Sequence, residues 1–144
     1  MAINRLFIRR RDGRVEVRLN ERGRELVRDL FEQVVAAERD PAHEWHASLS
    51  TPIDPSNDED DPVAILTRQS ETSTNAELAV MTADEQFLND REAWAWLTTM
   101  QVALRSIAVT NGLLSDEKLA QSDEEMRARV QALQQLLFSL AECF

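Results

Sequence analysis

Two imidazoles and a carboxylate fall within four residues at His43-Glu44-Trp45-His46. Nitrogen and oxygen donors this close are what one half of a zinc site requires. The second half is missing, since the chain has no other histidine and its one cysteine, Cys143, stands at the far end of the sequence. The segment therefore reads as a surface turn beside an anchoring tryptophan, with pH sensing as the other role open to the two histidines. The run Asp58-Glu59-Asp60-Asp61 would attract Ca²⁺, but it lacks the alternating D-x-D-x-D-G spacing that wraps a loop around the ion, and it reads as a solvated loop. Asp84-Glu85 and Asp123-Glu124-Glu125 read as favourable charges at helix starts. No metal or other cofactor is expected.

Catalysis needs a base, a nucleophile and a charge stabiliser that converge. Serines and threonines are plentiful here but sit in no G-x-S-x-G context, and three glycines, Gly13, Gly23 and Gly112, cannot build a phosphate-cradling loop. The chain is expected not to be an enzyme, and no residue is assigned a catalytic role.

Charge is the more informative chemistry. Nine arginines (Arg5, Arg9, Arg10, Arg11, Arg14, Arg18, Arg22, Arg24 and Arg28) meet only Asp12, Glu16, Glu21 and Glu25 in the first 28 residues, a local balance of +5 in a chain of net charge −10. Arginine forks suit carboxylates and phosphates, so Arg10, Arg11 and Arg14 are the candidate contact residues. The acidic remainder opposes wholesale binding to nucleic acid or anionic membrane. Part of the excess is compositional, because fifteen arginines against one lysine fits a GC-rich genome.

The elements that position these groups follow from spacing. A chain of 144 residues with 43% apolar content is of ordinary single-domain size and can build a core without staples. Residues 5–19 predict a β-hairpin around Asp12-Gly13, the dipeptide of a two-residue type I′ turn. In that register Arg10 faces Val15, Ile8 faces Val17 and Leu6 faces Leu19, while Arg9 meets Glu16 and Phe7 meets Arg18. Asn20 is a fitting N-cap for a helix over 21–38, whose apolar side carries Leu26, Val27, Leu30, Phe31, Val34 and Val35. Asp40-Pro41 ends it. Residues 41–61, with Pro41, Pro52, Pro55 and the acidic run, form a surface connection anchored by Trp45 and Ile53.

Pro62 suits a first helical turn, and 62–82 predicts one helix or two short ones broken near Thr72-Ser73-Thr74. Asn89 with Glu92 makes a capping box for a helix over 90–110 that ends at Asn111-Gly112. Ala93, Trp96, Leu97, Met100, Leu104, Ile107 and Ala108 are its main stripe, widened by Val102, Ala103 and Val109. Trp94 points about 200° from Trp96, in line with Thr98, Gln101 and Arg105, so it is either covered by the hairpin or a loop, or used at an interface. A short helical turn is expected at 115–120. Ser122 with Glu125 opens a last helix over 122–142, where Met126, Val130, Leu133, Leu137, Leu140 and Phe144 alternate at four and three like a coiled-coil seam. The fold class is mainly α, a bundle of about four to five helices with an N-terminal β-hairpin.

An N-terminal hairpin, a helix, an acidic Pro-rich connection, a central helix of the form Glu92-Ala93-Trp94-Ala95-Trp96-Leu97 and a Leu-rich last helix together resemble an uncharacterised actinobacterial domain-of-unknown-function family. Its members are often encoded beside the Clp protease adaptor, and some are labelled transcriptional regulators. The resemblance implies a link to the Clp proteolysis pathway and carries no catalytic residues. Where its members have a more polar Asn-Asp and arginine pair after the Trp-Leu, this chain has Gln101-Val102 and Leu104.

These readings converge on a cytoplasmic, non-catalytic interaction or regulatory protein, homodimeric through its excess of apolar faces. Arg10, Arg11, Arg14 and Trp94 are the expected partner-binding residues. The alternative is a nucleic-acid-binding transcriptional regulator that inserts the Arg10-Arg11-Asp12-Gly13-Arg14 tip as a wing against phosphates. The tip would otherwise pair with the acidic loop at 58–61.

Overall fold

The computed structural model describes residues 5–49, 62–112, 117 and 123–144. It is mainly helical, with an antiparallel strand pair near the N-terminus, as the apolar spacing predicts. The order is β1 (Phe7–Arg9), β2 (Val15–Val17), α1 (Glu21–Arg39), α2 (His46–Leu49), α3 (Pro62–Met81), β3 (Phe87–Leu88), α4 (Asp90–Thr110) and α5 (Glu124–Ala141). The strands form one antiparallel sheet in the order β1-β2-β3.

The hairpin is real, but its register differs from the expected one by one residue. Phe7 lies opposite Val17, Ile8 opposite Glu16 and Arg9 opposite Val15. The cause is the turn. Arg10 N–H donates to Arg14 O at 2.8 Å and Gly13 N–H to Arg10 O at 3.1 Å, leaving a three-residue loop that closes on Gly13 at φ +92°. That is a type I turn completed by a left-handed glycine, and it spares Asp12 the positive φ that a type I′ turn demands. Since side chains alternate with period two, the slip turns Phe7, Val15 and Val17 inward and Ile8 outward. The expected pairs of Arg9 with Glu16 and of Phe7 with Arg18 are replaced accordingly.

Local chemistry sets the helix ends. Asn20 Oδ1 accepts from Gly23 N–H at 2.8 Å. Asn89 and Glu92 form the reciprocal capping box, each contact at 2.8 Å. For α5 the cap is Asp123 rather than Ser122: its Oδ1 accepts from Met126 N–H at 2.7 Å. A carboxylate at that place also meets the positive end of the helix dipole. Residues 62–81 are one unbroken helix, with Thr72-Ser73-Thr74 inside it. Trp45 is buried as an anchor, while α2 adds a helical turn that the reading of 41–61 as a connection omits. Ile53, the acidic run at 58–61 and most of 115–120 lie outside the described residues.

At the centre, α4 borders α1, α2, α3, α5 and β3. Trp96 is fully buried on it, with the rings of Phe31 and Phe7 edge-on at 5.1 and 6.1 Å. Its indole N–H donates to Thr82 Oγ1 at 2.8 Å, and that hydroxyl donates to Leu78 O at 2.8 Å. The large ring is thus buried without leaving its polar edge unpaired. Val130, Leu133, Leu137 and Leu140 of the predicted seam are buried in the same cluster, with Met126 packed against it. The last helix therefore spends most of its seam within the chain.

Candidate interaction surface

The arginines of the first 28 residues divide into those that hold the fold and those that do not. Arg24 reaches from α1 to the turn after α3, its Nη1 donating to Ala83 O at 2.9 Å and to Glu85 O at 2.7 Å, with Nη2 near Val17 O at 3.5 Å. Burial pushes its pKa down, against the pull of Asp84 and Glu85. Arg28 forms an ion pair with Asp84, which raises the arginine's pKa. Asp84-Glu85 thus belongs to the turn that leads into β3, not to a helix start, and its charges meet arginines instead of a helix dipole.

On the outer face of the hairpin Glu16 sits between two cations. Arg18 Nε donates to its Oε2 at 2.6 Å and Arg10 Nη1 approaches Oε1 at 3.4 Å. The carboxylate side chain is only 11% exposed, flanked across the sheet by Ile8 and Phe87. The Arg18 hydrogen bond holds its pKa below the usual glutamate value, helped by the charges of Arg18 and Arg10. At the tip Arg14 binds Asp12 at 2.7 Å, which lowers the pKa of the Asp12 carboxyl, first through hydrogen bonds from Arg14. The Arg14 guanidinium also lies over the Phe87 ring, 4.4 Å from its centroid. Of the three expected tip contacts, Arg10 and Arg14 are thus matched to carboxylates, and exposed Arg11 enters no hydrogen bond or ion pair among the described residues.

Arg9 joins this tip to Trp94. Its guanidinium donates to Gly13 O, to Asp90 Oδ1 at 2.5 Å and, through Nε, to Cys143 O at 2.9 Å. It also lies 5.7 Å from the Phe144 ring centroid. Phe144 meets Trp94 edge to face at 5.9 Å. Trp94 is still 49% exposed and Phe144 53% exposed. So Trp94 is covered on one side by the end of α5, an element not considered for that role in the sequence, and open on the other. Arg9 was not among the expected site residues. Its place opposite Val15 follows only from the three-residue turn.

The histidines do structural work. His46 Nδ1 donates to Ala37 O at 2.6 Å, closing the end of α1. His43 Nδ1 accepts from Trp45 N–H at 3.1 Å, and its ring meets Trp45 edge-on. Among the described residues no group of three or more His, Cys, Asp or Glu side chains is placed to hold a metal ion. Burial raises the pKa of the Cys143 thiol, opposed by Arg9. No helix among the described residues is long and apolar enough to cross a membrane.

A groove of about 820 Å³ runs beside the hairpin. Leu6 and Ile8 form one wall, Leu19 and Leu26 another, and Ala132 and Leu136 of α5 the third, with Arg5 and Arg18 at the rim. Among the described residues no carboxylate, histidine or cysteine lines it.

No family model, curated protein or solved structure matches this chain.

Proposed function

We propose that this chain is a non-catalytic interaction protein whose contact surface is the end of the molecule where the hairpin tip meets Trp94. One observation carries the reading. Arg9 ties the turn at Gly13 to Asp90 and to the Trp94–Phe144 pair, so half-exposed aromatic rings and the uncommitted Arg11 guanidinium share one end. Tryptophan and arginine are the residues that most often dominate binding energy at protein interfaces. Because Arg10 and Arg14 already face carboxylates, the tip offers less net cation to phosphates than its sequence suggests, which favours a protein partner over the nucleic-acid wing. By the family resemblance alone, a component of the Clp proteolysis pathway is the first partner to test. The experiment is capture from the native host with the wild-type chain and with Arg11→Glu/Trp94→Ser. The variant is expected to lose the partner. A partner held equally by both proteins rejects this surface.

A homodimer is a second reading, favoured by Phe138, which stands 70% exposed on α5. Sedimentation of wild type and Phe138→Ser tests it: the wild type is expected at dimer mass and the variant at monomer mass. Monomer mass for both removes the dimer.

A further inference from the structure

The groove beside the hairpin is lined by none of Arg11, Trp94 and Phe144, and its lining has a consistent chemistry. Five aliphatic side chains, Leu6, Ile8, Leu19, Leu26 and Leu136, open onto it, and the charged groups in the lining are Arg5 and Arg18. Among the described residues its lining thus holds two cations and no anion, although the whole chain carries −10. Arg18 shares Glu16 with Arg10, whereas exposed Arg5 enters no hydrogen bond or ion pair among the described residues. Arg22, equally uncommitted, stands four residues before Leu26 on α1, one turn along the same side. Leu19, just before α1, and Gly23 and Leu26 on its first turns line this wall of the groove.

We propose that this groove receives an acidic amphipathic helix from a partner protein. Two turns present apolar anchors at i, i+4 and i+7, which suit a trough of leucines between two helices and a strand. Carboxylates beside those anchors would meet Arg5 and Arg22 as charge-assisted, two-pronged hydrogen bonds. The net negative charge of the chain does not forbid this, because at physiological salt charges beyond about 8 Å are screened while contacts at the rim are not. The proposal rests on the reading of the chain as an interaction protein, but it uses a different surface.

The test uses a labelled synthetic helix of about 18 residues, with leucine at i, i+4 and i+7 and glutamate at the flanking positions, and a twin with lysine for every glutamate. Fluorescence anisotropy with the full chain is expected to show binding of the glutamate peptide and at least about tenfold weaker binding of the lysine twin. Arg5→Glu/Arg22→Glu, at exposed sites that leave the core alone, should weaken the glutamate peptide about tenfold. Ala132→Trp, which fills the trough, should abolish binding with an unchanged circular-dichroism spectrum. Equal binding of the two peptides, or affinity unaffected by Ala132→Trp or by the charge reversal, overturns the proposal. Arg11→Glu/Trp94→Ser separates the two surfaces, since it should bind the peptide normally. If it loses the peptide instead, the groove is not the seat. If the glutamate peptide binds nowhere, the groove proposal falls while the Trp94 surface stands.

Discussion

At the scale of single residues, Glu16 shows how context remakes a charge. Its carboxylate is closed in by Arg18, Arg10 and its cross-strand neighbours Ile8 and Phe87, and its pKa is depressed in the folded chain, as is that of Asp12. A group whose folded pKa is depressed adds stability that is complete above its unfolded value and is lost as pH falls through the folded one. The contribution is therefore flat near neutrality and declines below about pH 4.3. Urea titrations of wild type and Glu16→Gln should converge as pH falls from 7 to about 3; curves that stay parallel would show that the ion pairs add nothing. Thr99 offers the opposite case. Its buried hydroxyl finds no hydrogen-bond partner among the described residues, so Thr99→Val, nearly equal in shape, should raise stability by about 1 kcal/mol. A destabilised variant would point to a buried water that the hydroxyl serves.

Elements show where sequence reading succeeds and where it stops. Helix α4 is legible to the residue because its start is written twice, in the apolar stripe and in the Asn89–Glu92 box. The hairpin is legible as an element but not in register. Asp12-Gly13 fits both a two-residue and a three-residue loop, and the choice depends on burying Phe7 against Trp96, a contact far away in sequence. Strand β3 is two residues long, too short for any period, and exists because Arg24 and Arg28 hold the turn before it. The same distance hides the place of Arg9 beside Phe144, whereas the place of Trp94 outside the core stripe follows from its angle to Trp96 alone. Arg24→Ala tests the clamp. Loss of the hydrogen bonds to Ala83 O and Glu85 O should cost about 1–2 kcal/mol. Amide exchange should quicken first at Val17, whose N–H bonds Gln86 O at 2.8 Å. Exchange that quickens evenly over the whole chain would mean that Arg24 holds no local unit.

For the whole molecule, the decisive fact is how much of the apolar surface one chain covers by itself. The expectation of a dimer rests on an excess of apolar faces, the seam of the last helix among them, yet Val130, Leu133, Leu137 and Leu140 close onto the common core, and Phe138 is the large apolar side chain that α5 leaves outside. A seam filled from within and a seam filled by a second chain differ in one measurable way. Deleting a leucine side chain from a close-packed interior costs about 2–5 kcal/mol, a large part of the roughly 5–15 kcal/mol that keeps a domain folded. When the packing partners belong to the same chain, that loss is independent of protein concentration. When they belong to another subunit, the unfolding midpoint shifts with concentration by mass action. Leu133→Ala should therefore lower the urea midpoint by the same amount at about 1 and 100 μM protein, with the slope unchanged. A deficit that narrows as protein is added would assign Leu133 to an interface between chains, and with it the arrangement of α5 against α4.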